Sequence, residues 1–268
     1  MLFNIEMGIK SKTALITGAT SGIGYEMAKI LHLKGYSLWL TGRNLEAIEG
    51  LKKEFPLCKT LSTDLSKEKG LNDFWSWVDT TPIDLMVNNA GYGVWKEVIN
   101  SEKGELENMI KLNVEILLHF SAEFAKRMVK RGSGKILNVA SIAAFFPGPH
   151  LAAYYASKAF VLSFSESLNH ELRKTKVTVT TLCPGPTKSK FFERAGLKKS
   201  PLMDGPLIPH MTSYKVALKG VEGALKGKRR VVPGILNYIF TISPLMIPRF
   251  LQLRILSYIQ NSRNTDKA

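Results

Sequence analysis

The chain reads as an α/β protein with one doubly wound parallel sheet, helices on both faces, and a C-terminal extension that is partly apolar and partly amphipathic. Three observations predict this. Short apolar runs alternate with helix-length amphipathic stretches through most of the 268 residues. Such alternation calls for parallel strands joined by crossover helices. A glycine-rich turn, Thr17 to Gly24, links the first apolar run to the first helical pattern. No internal repeat, linker or second composition interrupts the series, so 1–268 is expected to form a single domain.

The elements follow in order. Thr13-Ala14-Leu15-Ile16 opens a strand at about 13–17, and further strands are predicted at about 37–41, 58–62, 84–88, 134–140 and 177–182, with a short one near 229–232. Helical patterns fall at about 23–34, 44–54, 67–78, 102–130, 153–173 and 212–226. In sheets of this kind ligands bind at the carboxyl ends of the strands. The glycine turn, Asn88, Ser141 and Pro184 all fall at that edge.

Bulk properties narrow the function classes. The length suffices for one well-buried core. The composition, 45% hydrophobic and 22% charged, is that of an ordinary globular protein. Cys58 and Cys183 are far apart and in no metal-ligand spacing, which points away from a disulfide framework and toward a reducing, cytoplasmic setting. His32, His119, His150, His170 and His210 form no ligand cluster, so no metal site is expected. The start, Met1 to Lys12, has no apolar core of a signal peptide. The net charge of +15 is spread along the chain without a nucleic-acid motif. It fits a solvated basic surface combined with attraction to anionic cofactor, acyl-carrier or CoA substrates, or anionic lipid.

Two segments carry chemistry. In Tyr154-Tyr155-Ala156-Ser157-Lys158, a phenol and an ammonium stand four residues apart, on one face of a helix. A free tyrosine ionises at about pH 10. An adjacent cation favours the phenolate and draws that value toward neutrality. Tyr155, three residues from Lys158, is the rival phenol, and periodicity does not choose between the two. Ser141 lies thirteen residues before Tyr154 and could hold a substrate oxygen near it. In Thr17-Gly18-Ala19-Thr20-Ser21-Gly22-Ile23-Gly24, glycines allow a tight turn and let backbone N–H groups and a helix N-terminus approach a pyrophosphate.

Further signals are Asn88-Asn89-Ala90-Gly91 after the fourth strand, Asn113 within a helix, and Pro184-Gly185-Pro186-Thr187 after the sixth strand. With these five motifs in register over about residues 10–190, the chain closely resembles the classical short-chain dehydrogenase/reductase family. The resemblance implies a Rossmann-type fold and an enzyme that moves a hydride between a nicotinamide and a carbonyl or secondary alcohol. It implies Asn113, Ser141, Tyr154 and Lys158 as the catalytic set, and its register selects Tyr154 over Tyr155. It implies cofactor contacts at Gly18, Ser21, Gly22, Ile23 and Gly24, then at Asp64 and Leu65. Asn89, Ala90 and Gly91 follow, then Pro184, Gly185 and Thr187, with Tyr154 and Lys158 at the nicotinamide. Asn88 and Gly91 are expected beside the adenine ribose, Asp64 at the adenine amino group and Thr187 at the nicotinamide amide.

After the second strand the chain offers Arg43, nineteen residues past Gly24, with no acid before Glu46. A guanidinium suits a 2′-phosphate, so NADP(H) is the expected cofactor; a surface arginine opening the next helix is the alternative. The loop 187–212, with Phe191, Phe192, Leu197, Leu202, Met203, Leu207 and Met211, is expected to cover the substrate. Together with Ala143, Phe145, Phe146 and Pro149 it suggests an apolar substrate, or else side chains that pack on the cofactor and one another. His150 either touches substrate or is a loop histidine without a role.

The extension 234–268 has no charge from Val231 to Pro248, but Pro233, Gly234, Pro244 and Pro248 break it up and make a straight membrane span doubtful. Its second half places Arg249, Gln252, Ser257 and Gln260 largely on one side, and Asp266 is the one acid from Lys226 onward. Such a segment could lie on an anionic bilayer through 234–260, or pack over the core or a partner subunit. Three functions follow. The first is an NADP(H)-dependent carbonyl reductase, run in either direction, on a small-molecule substrate. The second is a membrane-surface reductase of long-chain 3-oxoacyl or related lipids. The third, a non-catalytic NADP(H) sensor, has no need of the full catalytic set. A homo-oligomer, dimer or tetramer, is expected by resemblance.

Overall fold

The computed structural model describes residues 11–189, 191–196 and 210–260. Seven parallel strands form one sheet: β1 (Thr13–Thr17), β2 (Ser37–Gly42), β3 (Lys59–Ser62), β4 (Leu85–Asn88), β5 (Gly134–Val139), β6 (Val177–Leu182) and the short edge strand Arg230–Val231. Their spatial order is β3-β2-β1-β4-β5-β6 and then the edge strand. The order reverses between β1 and β4, which opens a crevice at their carboxyl ends.

The sequence dictates both faces of this sheet. Strands buried on both sides are nearly all apolar, and alternate side chains go to opposite layers. Ala14 and Ile16 of β1 join one core with Leu38, Leu40, Val87 and Leu137. Against it pack helices α1 (Gly22–Leu33) and α2 (Leu45–Glu54), and a later helix, Ser213–Leu225. Leu15, Trp39, Met86, Ile136 and Val179 face the other way. There they meet α3 (Glu68–Val78) and a long helical run through Phe74, Phe120 and Phe124. The Phe74 and Phe120 rings stack with centroids 4.2 Å apart. Asn44 begins α2 by accepting a bond from Ala47 N at 2.7 Å, and Thr212 begins Ser213–Leu225 by accepting from Lys215 N at 3.3 Å.

Two elements differ from the sequence expectation. The helix expected at 102–130 is α4 (Glu105–Ile110), a π-helical segment Lys111–Ile116 that contains Asn113, and α5 (Leu117–Arg131). A π segment widens a helix locally and is characteristic of functional sites. Gly132 ends α5 in the left-handed conformation, at φ 87°. Next comes α6 (Ala152–Glu171), which brings Tyr154, Ser157 and Lys158 to the sheet edge. Within the loop expected to cover the substrate, Thr187–Lys188 (β7) pairs with Met211–Thr212 (β8), and Phe191–Arg194 forms the short helix α7. Leu197, Leu202, Met203 and Leu207 lie outside the described residues, as do Met1 to Lys10 and the tail 261–268. Counting on, Ser213–Leu225 is α8 and Arg230–Val231 is β9.

The C-terminal extension forms α9 (Ile235–Ile242) and α10 (Arg249–Gln260), joined by a 3-10 turn, Ser243–Leu245. Its polarity is the reverse of a solvated amphipathic helix. Gln252 and Gln260, expected largely on one side with Arg249 and Ser257, are buried, whereas Arg249 and most of the apolar side chains face outward. The inward stripe of α10 is Gln252, Leu256, Ile259 and Gln260, a helical spacing that periodicity alone would read as either face.

Candidate active site

The glycine turn and β4 form the inner wall of the crevice. Gly18 and Gly22 hold φ of +66° and +58°, a region other residues adopt only with strain. A Cβ on Gly18 would fall 2.9 Å from Ala90 Cα, so the two backbone segments touch. Gly24 packs instead of facing the cleft: a Cβ there would meet Asn89 Nδ2 at 2.4 Å and Gly18 O at 2.5 Å. The Asn89 amide donates to Thr17 O (2.9 Å) and Gly18 O (3.0 Å) and so braces the turn. Thr17 Oγ1 accepts from Asn89 N and Ala90 N, both at 3.0 Å. Neither this role of Thr17 nor that of Tyr92 below was anticipated; a strand-end threonine and a loop tyrosine have no distinguishing spacing.

Asn88, expected beside the ribose, points the other way. It is buried, and its amide donates to Ser121 Oγ (3.1 Å) and Asn138 Oδ1 (2.8 Å). The odd-even alternation of a strand accounts for this, since adjacent residues at its end face opposite layers.

The cleft encloses about 750 Å³, within the range of roughly 300–1,000 Å³ usual for ligand sites. Gly18, Ser21, Gly22 and Ile23 line one end, with Arg43, Asp64, Leu65, Asn89, Ala90 and Gly91. Ser141, Tyr154 and Lys158 line the other, with Pro184, Gly185 and Thr187. Of the aromatic and apolar residues expected to meet substrate, Ala143, Phe191 and Phe192 are there too. Phe145, Phe146, Pro149 and Met211 are not: Phe145 stacks against Arg230 at 5.5 Å, and Met211 packs on the first core. His150 also lies off the cleft, with a left-handed φ of 62° and its Nδ1 3.7 Å from Glu97.

Asn113 supports the Ser141–Tyr154–Lys158 end of the cleft from behind. Its Oδ1 accepts from Tyr92 N (3.1 Å), and its Nδ2 donates to Tyr92 O (2.9 Å) and Ser157 Oγ (3.2 Å). A Cβ on Gly91 would sit 2.8 Å from Asn113 Oδ1 and 3.6 Å from Lys158 Nζ, so these three groups share one corner. Ser157 passes the network on by donating to Tyr154 O at 2.6 Å. Lys158 Nζ donates to Val139 O at 2.9 Å and stands 5.7 Å from the centre of the Tyr154 ring. Ser141 Oγ accepts from Ala143 N at 3.1 Å. Tyr155 also lines the cleft, and its hydroxyl is engaged by Gln260 of α10, which donates to it.

Electrostatics correct one expectation. Burial pushes the Tyr154 phenol up to about 12, against a hydrogen bond with Ser141 that pulls it down. Burial pushes the Lys158 ammonium down to about 8. The protein groups alone therefore favour neutral phenol, because burial outweighs the Ser141 bond and Lys158 Nζ is bonded to Val139 O. At the far end burial raises the Asp64 carboxyl, but two bonds from Ser66 (3.0 and 2.7 Å) and the charges of Arg43 and Lys67 outweigh it, and the net shift is downward.

The donor set fits a dinucleotide. Ser21, at the N-cap of α1, makes no side-chain capping bond, and the first turn of α1 has no acid. Its free N–H groups and the positive end of its dipole thus open on the cleft, as a phosphate requires. Asp64 offers an acceptor and Arg43 a guanidinium.

A seven-stranded doubly wound sheet with a glycine cradle at its switch point and a Ser-Tyr-Lys cluster beside it defines a nucleotide-binding oxidoreductase. Residues 12–199 match the family model described as short chain dehydrogenase, and the chain belongs to that family. It is 33% identical over 188 residues to an uncharacterized oxidoreductase of Staphylococcus epidermidis, a match covering 69% of this chain and 82% of the relative. Among solved structures it is similar to a short-chain dehydrogenase from Sphingobium yanoikuyae in complex with NADPH, with TM-score 0.75 and 27% identity over 84% of this chain and 88% of that one. It is also similar to a bulky-bulky ketone specific alcohol dehydrogenase from Comamonas testosteroni, with TM-score 0.72 and 26% identity over 84% and 86% of the two chains.

Proposed function

We propose that this oxidoreductase uses NADP(H) and exchanges a hydride with the carbon of a ketone or secondary alcohol on an apolar substrate. The observation that supports this best is the convergence of Ser141, Tyr154 and Lys158 at one end of a cleft whose other end offers a glycine cradle and Arg43. Bound NADPH supplies the hydride. Gly18, Ser21, Gly22 and Ile23 would hold its pyrophosphate, Arg43 its 2′-phosphate and Asp64 its adenine. Pro184, Gly185 and Thr187 would border the nicotinamide. The NADPH complex of the Sphingobium relative supports this choice of cofactor.

Tyr154 donates its hydroxyl proton to the carbonyl oxygen as negative charge develops there. Its raised pKa keeps that proton in place at neutral pH, which suits reduction. Ser141 Oγ–H donates to the same oxygen and fixes its position. Lys158, bonded to Val139 O, holds its ammonium beside the ribose position, and its charge favours phenolate once the proton has left. Asn113 is a positioning residue that fixes Tyr92 and, through Ser157, the first turn of α6.

Substrate character follows from the lining at that end. Ala143, Leu151, Phe191 and Phe192 are apolar, and the Phe191 ring is centred 5.4 Å from Tyr154. The ketone specificity in the Comamonas relative's name agrees with such a pocket. A second reading, reduction of long-chain 3-oxoacyl or related lipid substrates, draws on Arg194, which lines the cleft beside the two phenylalanines and offers a cation to an anionic head. Assembly as a dimer or tetramer is proposed through α5 and α6, where Phe160 is exposed and stacks on Phe164 at 5.8 Å.

The test is Tyr154→Phe, assayed by NADPH oxidation over a panel of steroids, ketones, quinones and 3-oxoacyl thioesters. Hydride transfer should be abolished while NADPH binding, followed by its fluorescence, is retained. Equal turnover in the variant and the parent protein would overturn the mechanism.

A further inference from the structure

The apolar surface of the protein is concentrated in one place. Thirteen of the twenty-one large apolar side chains exposed among the described residues lie between Ile235 and Tyr258. Ile235, Leu245 and Met246 are 81%, 85% and 82% exposed. Tyr238, Ile239, Phe250 and Tyr258 are exposed as well. Exposed large apolar side chains gathered in one segment mark an interaction surface more often than a bare one.

The fully buried side chains of the two helices are polar. Asn237, Thr241, Gln252 and Gln260 are all at least nine-tenths buried. Asn237 donates to Pro233 O at 2.7 Å and fills the space beside Gly185, where a Cβ would meet its Oδ1 at 2.3 Å. Gln252 donates to Pro244 O (3.0 Å) and Ile247 O (2.7 Å), fixing the turn between the helices. Gln260 donates to Tyr155. Gly185 and Tyr155 both line the cleft, so the helix pair is fastened by amides to the wall of the site and turns its greasy side away.

Charge selects the occupant. From 226 to 260 the described chain has Lys226, Lys228, Arg229, Arg230, Arg249 and Arg254 and no acid. Arg229 and Arg230 share Glu166, at 3.7 and 3.6 Å. Lys226, Lys228, Arg249 and Arg254 are exposed. A second copy meeting this face across a twofold axis would place the same cations against themselves. Anionic headgroups complement them, at about 1 kcal/mol per basic residue near the surface. No helix among the described residues is long and apolar enough to cross a membrane, which leaves a helix pair lying in the interface plane.

We propose that α9, the 3-10 turn and α10 form a docking surface for an anionic lipid bilayer, with Leu245 and Met246 at the point of insertion. The docking stands independently of the catalytic reading. Its consequence, that apolar substrate is drawn from the membrane into the adjoining cleft, rests on that reading.

The test is flotation of the full chain with phosphatidylcholine vesicles, with and without about one-third phosphatidylglycerol, at low and high ionic strength. The protein should float with the anionic vesicles at low salt and less at high salt. The double variant Leu245→Glu/Met246→Glu should bind at least about tenfold more weakly, because both side chains lose their burial in the interface. Both positions are exposed, so its thermal melt should match the parent's. No binding to anionic vesicles at low salt overturns the proposal. So does binding that the double variant leaves unchanged, or a dimer that the double variant dissociates without any vesicle binding. Turnover of a water-soluble ketone in the double variant should equal the parent's. A parent protein that floats yet oxidises no NADPH would sink the catalytic reading and leave the docking intact.

Discussion

Replacing Arg43 tests the cofactor choice more sharply than any change at the catalytic end. Three cations line the cleft among the described residues, Arg43, Lys158 and Arg194, and only Arg43 stands where β2 ends. Its polar neighbours are committed. Asn44 caps α2 through its side chain, and Ser62 Oγ bonds the Arg43 carbonyl at 3.3 Å. The guanidinium itself is exposed and lies 5.9 Å from the centre of the Tyr92 ring, a stack that steadies it without using its N–H groups. Hydrogen bonds to a charged partner contribute about 1.5–3 kcal/mol, a factor of roughly 10 to 100 in affinity. Exposure and salt screening place Arg43 toward the lower end of that range. Arg43→Gln should therefore narrow the preference for NADPH over NADH by about tenfold, measured as the ratio of the two Kd values by fluorescence titration. Arg43→Glu, which adds repulsion of the phosphate, should shift the ratio by about a hundredfold or more. The effect should shrink as ionic strength rises. If both variants bind NADPH and leave the ratio unchanged, Arg43 is not the 2′-phosphate ligand.

Three other outcomes are expected. Asn113→Ala leaves the Tyr92 N–H and C=O without their partners, so urea denaturation should show a loss of about 2–4 kcal/mol, and kcat should fall more than KM rises. Gly24→Ala drives a methyl into Asn89 and the Gly18 carbonyl; it should cost about 1–3 kcal/mol and weaken both pyridine nucleotides alike, which a parallel titration would reveal. The third outcome concerns pH. Lys158 is held at about 8, below its ordinary value, so the unfolded chain binds that proton more tightly. Stability relative to Lys158→Met should then rise with pH from about 8 to about 10. Above about 10 the raised phenol of Tyr154 acts in the opposite sense and stability should fall, and a flat difference across the lower window would contradict a buried amine.

The sheet was legible because burial on both faces demands apolar or β-branched strands: Ala14-Leu15-Ile16 and Leu85-Met86-Val87 are unbroken apolar runs, and β6 alternates valine with threonine before Leu182. The cleft was legible because its chemistry needs particular residues in register: glycines where backbones touch, and a phenol four residues before an amine. Other features left no such mark. Asn88 and Asn89 are identical side chains one position apart, and only the pleat decides that Asn89 braces the turn while Asn88 joins the buried network with Ser121 and Asn138. The π segment around Asn113 adds no residue type that an ordinary helix lacks. Its signature is a hydrogen-bond shift, made worthwhile by the two bonds Asn113 gives the Tyr92 backbone.

The C-terminal helices were legible only as amphipathic, and the pattern did not say which side turns inward. Asn237 and Gln260 face inward because the wall they cover offers a glycine and a phenol, and Gln252 turns in to bond the carbonyls of the turn between the two helices. An amide can satisfy such partners where a leucine would leave them bare. With the inner side fixed by polar bonds, most of the apolar side chains are left on the outside. Asn237, against Gly185, and Gln260, on Tyr155, thus join the cleft to the apolar face. A variant that loosens them, such as Gln260→Ala, would disturb the position of Tyr155 and the presentation of α10 together, whereas a change at Leu245 would touch the outer face alone.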